Sequence, residues 1–157
     1  MLKMKLLCPF VVAVCFSMPW TAYAAATQAA DCQLDQAQAL AKRIDLLWSQ
    51  RDAAGMASLY AQNASLAIEP NLGRANGRAA VQQLFTEIFA TLEPGNEHHL
   101  TVSRVESLAG FCTMDARAQV GLPAAGAAAQ SQFVGFYLLK PVGSNWQIEA
   151  VRAVNLK

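Results

Sequence analysis

Apolar positions recur at helical spacing in the first half of the chain and at strand spacing in the second. Ala37, Leu40, Ala41, Ile44, Leu47 and Trp48 follow one another at intervals of three and four, which predicts a helix with one buried stripe. Arg51 continues the same spacing. Lys42, Arg43, Asp45 and Gln50 fall on the other, solvated face, and Asp31 or Asp35 stands where a helix start is capped. Asp52 is placed to cap a second, short helix carrying Met56, Leu59 and Tyr60. A third helix is predicted from Arg78, with Val81, Leu84, Phe85, Ile88 and Phe89 on one side, and Pro94-Gly95 stops it.

Strand patterns dominate the rest. Ala64 to Glu69 predicts a strand ended by Pro70, followed by a loop over Asn71 to Gly77 that holds two glycines. Leu100 to Ala109, Cys112 to Leu122, Gln130 to Lys140 and Trp146 to Leu156 are rich in Val, Phe and Tyr with polar residues between them, and predict four consecutive antiparallel strands. Gly110-Phe111 makes a tight connection, Pro123 to Ala129 a small-residue loop, and Pro141 to Asn145 a turn. The expected fold class is α+β: three N-terminal helices packed on one face of a curved, mostly antiparallel sheet. No internal repeat is present.

The start of the chain changes how the composition is read. Lys3 and Lys5 precede an apolar run from Leu6 to Trp20, and Ala22-Tyr23-Ala24 follows it. That order of basic, apolar and small-x-small residues predicts a cleavable signal peptide over 1–24 and a periplasmic or secreted location. An uncleaved anchor helix and a lipoprotein anchored at Cys15 are the alternatives; the run is short and broken by Pro9 and Pro19, and Val14 precedes Cys15 where a small residue is expected. Residues 25–34 then form a small-residue tail, and 35–157 a single domain. Removing 24 of 157 residues leaves 133, enough to bury a core. With Lys3 and Lys5 gone, ten basic residues face eleven acidic ones. That balance argues against nucleic acid as a partner, and no second apolar run is long enough for a membrane span. Cys8 and Cys15 leave with the signal. Cys32 and Cys112 remain, an even pair in an exported chain, which reads first as a disulfide and otherwise as two separate buried thiols.

The order of elements, with three short stretches, resembles the nuclear-transport-factor-2-like superfamily and its SnoaL-like branch of domains of unknown function. Arg51 to Ala64 (RDAAGMASLYAQNA) looks like the family's short helix, Tyr and first strand. Gly77-Arg78-Ala79-Ala80-Val81 looks like its entry to the third helix, and Asn145-Trp146-Gln147-Ile148 like its closing strand. The resemblance covers most of 35–156. It implies a cone whose sheet wraps around a pocket for a small, partly apolar ligand, and a homodimer. The superfamily includes isomerases, cyclases and dehydratases, so fold alone does not decide between binding, proton-transfer catalysis, and an interaction module whose sheet face mediates dimerisation or holds a partner protein.

Ketosteroid-isomerase-like members use a tyrosine on the first helix and a carboxylate on the first strand. Aligned through Leu59-Tyr60-Ala61, those places fall here on Ile44 and Ile68, so no catalytic residue is identified. A shift by one would bring in Glu69, but alternation places Glu69 opposite to Leu66 and Ile68. No phosphate loop, metal-spaced cluster or Ser-His-Asp set is present, and no cofactor or metal is expected. His98 and His99 are neighbours on a strand start, so at most one faces inward, and a solvated start is the plainer reading. Asp115 and Arg117 share a face opposite Met114, Ala116 and Ala118, and are expected outside. Arg152 shares parity with Trp146 and Ile148, a face that the resemblance turns inward. The expected ligand-binding residues are therefore Tyr60, Gln132, Phe136 and Arg152. The guanidinium would take a carboxylate or carbonyl end of the ligand, or else pair with Glu69, Glu106 or Glu149.

Overall fold

The computed structural model describes residues 32–70, 72–122, 130–143 and 145–156. The signal segment, most of the tail, and the loop at 123–129 lie outside the described residues. The element order is α1 (Leu34–Ser49), α2 (Ala53–Ser58), β1 (Tyr60–Glu69), β2 (Gly73–Asn76), α3 (Arg78–Thr91), β3 (Glu97–Leu108), β4 (Phe111–Gly121), β5 (Gln130–Val142) and β6 (Asn145–Leu156). All three expected helices are present. Gln33, not an aspartate, precedes α1, without a side-chain cap. Asp52 does cap α2, accepting a hydrogen bond from the Gly55 N–H at 2.8 Å. The glycine-containing loop after β1 contains the short strand β2, which pairs with β1 from Ser65↔Asn76 to Ile68↔Gly73.

The six strands form one curved sheet in the order β2-β1-β6-β5-β4-β3. β3 to β6 are antiparallel neighbours, and β1 joins β6 in parallel. The helices cover the concave face. The α1 stripe of Ala37, Leu40, Ala41, Ile44, Leu47 and Trp48 is buried there, as the periodicity requires. It meets Val81, Phe85 and Phe89 of α3 and the inward residues Met114, Ala116, Tyr137, Leu139 and Val151 of the sheet. Trp48 stands edge-on to Phe89 with ring centroids 5.2 Å apart, and Phe85 lies 5.7 Å from Phe89. Cys32 and Cys112 form a disulfide that ties the start of α1 to the start of β4.

Two features of the sheet correct the expected inward face. On β5 the inward residues are Phe133, Gly135, Tyr137 and Leu139, while Gln132, Val134 and Phe136 point out. Both faces of this strand are apolar in sequence, so alternation by itself cannot say which one meets the helices. On β6 the register slips: Leu139 pairs with Ile148 but its neighbour Leu138 pairs with Ala150, leaving Glu149 as an extra residue. This bulge reverses the phase of the strand. Ile148 is inward, then Val151 and Ala153; Arg152 is exposed on the convex face.

Candidate functional site inside the cone

Between the helices and the concave face lies a cavity of about 340 Å³. Its wall is mostly aliphatic and aromatic, and the polar heads in it are few: Tyr60, Tyr137, His98, Thr91 and the indole of Trp48. No Lys, Arg, Asp or Glu lines it. A larger groove of about 540 Å³ runs between α1 and the β5–β6 hairpin, but its polar residues, such as Gln36, Arg43 and Asn145, face solvent. The cavity between the helices and the sheet is the stronger site, because a mostly buried apolar wall with few polar groups is what orients a small ligand.

Tyr60 is held at the junction of α2 and β1. Its carbonyl accepts from Arg78 Nε at 2.8 Å, and the preceding carbonyl of Leu59 accepts from the Ile148 N–H at 2.8 Å. These bonds fix the backbone from which the ring enters the cavity, 6.3 Å from Phe85. Tyr137 lies along β5 over Gly135. A β-carbon at 135 would stand 2.9 Å from Cε2 of the Tyr137 ring, so the glycine makes room for that ring. Both phenols are pushed far above their ordinary value, first by burial, which disfavours the phenolate. Repulsion between the two phenolates, were both to ionise, adds to the effect on Tyr60, and the Asp45 carboxylate adds to that on Tyr137. Both therefore stay neutral hydroxyls, able to donate.

His98, the second residue of β3, turns inward, with 9% of its side chain exposed; its neighbour His99 is 72% exposed. Strand alternation separates the two, as expected, and the inward one is a feature that the plainer sequence reading missed. Its Nδ1 lies 2.6 Å from Asp45 Oδ1. Asp45 also accepts the Leu100 N–H, at 3.0 Å and 3.2 Å to its two oxygens. The carboxylate thus links α1 to β3 and orients the imidazole, whose ring stacks on Trp48 at 4.8 Å. A carboxylate only accepts, so Nδ1 is the donor in this bond, which leaves Nε2 as the ring nitrogen not engaged by Asp45. Asp45 was expected on the solvated face of α1; it sits at the boundary of the stripe and is half-buried. Its adjacency to Ile44 was the available signal, but only the packing of β3 against α1 turns that position into a site.

Of the expected ligand-binding residues, Tyr60 lines the cavity. Gln132, Phe136 and Arg152 do not; all three stand on the convex face. Ile44 and Ile68, the positions matched to the isomerase tyrosine and carboxylate, both line the cavity as apolar wall. Glu69 points away and pairs with Arg74. Asp115 is half-buried and Arg117 exposed on the outer face. Among the described residues no group of His, Cys, Asp and Glu is arranged to hold a metal ion.

A six-stranded sheet wrapped over three helices around an apolar cavity defines a cystatin-like, nuclear-transport-factor-2-like fold. Solved structures agree. A domain of unknown function with a cystatin-like fold from Nostoc punctiforme superposes with a TM-score of 0.64 at 18% identity, over 80% of each chain. A nuclear-transport-factor-2-like protein with a cystatin-like fold from Novosphingobium aromaticivorans gives 0.64 at 17% identity, over 78% of this chain and 81% of the other. A ketosteroid isomerase-like protein from Erwinia carotovora atroseptica gives 0.62 at 15% identity, over 79% and 96%. No family model and no curated protein matches the sequence.

Proposed function

We propose that this chain is an exported domain that binds a small, uncharged, partly apolar molecule in the cone. The observation that carries this is the composition of the cavity wall: aromatic and aliphatic throughout, with neutral hydroxyls, one imidazole and no charged side chain. An anionic ligand would enter without a cation to compensate it. Even a protonated His98 is already matched by Asp45 at 2.6 Å. The carboxylate-bearing ligand inferred from Arg152 loses its basis with that residue outside. An oxygen acceptor on an apolar body suits the phenols of Tyr60 and Tyr137.

The test is titration with neutral N-phenyl-1-naphthylamine and with a matched pair, 2-acetylnaphthalene and 2-naphthoate, as competitors. Displacement by the ketone and not by the carboxylate is the expected result. Failure of every probe to bind, together with an empty organic extract of protein purified from its native source, would remove the proposal. Export is tested separately: periplasmic protein should begin at Ala25.

A second reading is favoured by Asp45 and His98. A buried imidazole oriented by a carboxylate, facing a cavity that also holds neutral hydroxyl donors, is equipped to move a proton on a bound molecule. Isomerase, cyclase or dehydratase chemistry would then use His98 as the base, in place of a carboxylate on the first strand. Turnover of a bound ketone, followed as exchange of its α-hydrogens in D₂O and lost in His98→Ala, distinguishes this from binding alone.

A further inference from the structure

The groove between α1 and the β5–β6 hairpin shares no lining residue with the cavity in the cone. One wall is a stripe of α1 running from Gln36 through Ala39 and Leu40 to Arg43; the other is the start of β6, with Trp146 half-buried in it. As a sheet, that second wall is incomplete. β6 opens at Asn145, but its pairing with β1 opens only at Tyr60↔Ile148. The Ile148 N–H points to the β1 side, where it donates to the Leu59 carbonyl at 2.8 Å. Two residues back, Trp146 turns its own N–H and C=O to the same side, because backbone groups alternate along a strand. β1 does not reach that far, and Pro141, the neighbour of Trp146 on β5, has no N–H to offer instead. Among the described residues no strand covers this short edge, and the groove runs along it.

The two ends of the groove differ. Leu47 of α1 meets α2 at Gly55, where a β-carbon would stand 2.5 Å from Leu47 Cδ2. One turn further along each helix, Arg43 and Leu59 line the groove together, so the Arg43 end is the one that α2 and β1 close. The Gln36 end, away from α2, is open. An extended chain lying along β6 must therefore stop where β1 begins, and what it brings there is a terminus. Charge decides which terminus. Arg43 is the one charged side chain among the described residues of the lining, and no described carboxylate pairs with it. A guanidinium takes a carboxylate and repels an ammonium. From Gln36 to Arg43 the helix advances about 10 Å, which is also the length of about three extended residues.

We propose that the groove binds the last three residues of another polypeptide, added as a strand beside β6 with the C-terminal carboxylate on Arg43. Ile148 faces inward, so Trp146, two residues earlier, stands on the same side as α1. The first and third side chains of the added segment then lie between Leu40 and Trp146 and are apolar, while the middle one faces solvent. The site is separate from the cone and does not depend on what the cone binds.

Fluorescence anisotropy with the disulfide-intact protein tests this. The probe is a pool of tripeptides X-Thr-X, with X being Leu, Val or Phe, labelled with fluorescein through an N-terminal linker and made with a free or an amidated C-terminus. The free-acid pool should bind with a Kd of about 100 μM or tighter, and the amide at least about tenfold more weakly. Arg43→Gln, at an exposed position, should weaken the free acid about tenfold and leave the amide within about twofold, so that the two losses do not add. Methylating every backbone nitrogen of the tripeptides should abolish binding, because the added strand then donates nothing to β6. N-phenyl-1-naphthylamine should bind in the cone equally well with or without peptide and in Arg43→Gln, which keeps failure here distinct from failure of the cone as a site. A free-acid pool that does not bind at about 1 mM, an amide that binds like the acid, an Arg43→Gln variant that still prefers the acid as wild type does, or methylated peptides that still bind would each overturn the proposal. Binding gained only when residues 25–31 are deleted would assign the groove to the chain's own tail and overturn it as well.

Discussion

Raising the pH past 10 tests the burial of the two phenols directly. Tyr60 and Tyr137 are 4% and 8% exposed, and burial holds both as neutral hydroxyls well above the ordinary phenol value of 10.0. The third tyrosine of the sequence, Tyr23, belongs to the proposed signal, so the exported protein has only these two. In the unfolded chain both phenols release their protons near pH 10; in the folded chain both keep them. Above pH 10 the folded state thus binds more protons than the unfolded state, and stability falls as pH rises. At pH 11 each tyrosine contributes about 1.4 kcal/mol of destabilisation relative to pH 7, and the pair about 2.8 kcal/mol. Against a total stability of about 5–15 kcal/mol this is readily measured. With a urea slope of about 1–3 kcal/mol/M, the unfolding midpoint should fall by roughly 1–3 M between pH 9 and pH 11. Tyr60→Phe and Tyr137→Phe should each remove about half of that fall, which separates the phenols from the lysines that titrate in the same range. Absorbance at 295 nm should show no tyrosinate in the native protein until it unfolds. Tyrosinate appearing near pH 10 with the fold intact, or a midpoint whose pH dependence is the same in both Phe variants as in wild type, would refute the placement of these rings.

Asp45→Asn keeps one acceptor for Leu100 but weakens the hold on His98. It should cost about 1–3 kcal/mol in urea unfolding and weaken binding of the neutral probe, whereas an exposed carboxylate such as Glu87 changed to Gln should do neither. Gly135→Ala sets a β-carbon 2.9 Å from the Tyr137 ring and should displace it, with about 1–3 kcal/mol of destabilisation and weaker probe binding; a variant that binds as wild type would show the ring is free to move aside. Cys32 and Cys112 are 80 residues apart in sequence, and the chain-entropy model gives roughly 4 kcal/mol for a bridge of that span. Reduction should lower the melting temperature of the wild type and leave a Cys32→Ser/Cys112→Ser variant unchanged; equal melting of the reduced and oxidised wild type would count against that contribution.

Local pattern was enough to place most of the elements. The stripe from Ala37 to Trp48, the cap at Asp52, the helix from Arg78 and four successive strand patterns depend on side chains a few residues apart, and they appear where the sequence puts them. The even cysteine pair and the matches around Leu59-Tyr60-Ala61 carried the bridge and the general fold as well. β2 escaped notice because four residues, Gly73 to Asn76, are too short a stretch to show alternation.

The site itself is a tertiary outcome. Alternation tells which residues of a strand share a face, but not which face is covered, and on β5 both faces are apolar. On β6 one extra residue at Glu149 turns Arg152 from the expected interior to the convex surface. His98 and Asp45 are 53 residues apart, and nothing in either neighbourhood refers to the other. They meet because α1 packs across β3, where the Leu100 N–H and the imidazole both find the same carboxylate. Sequence periodicity acts over one or two turns or a few pleats; the partner of a buried polar group is chosen by long-range packing.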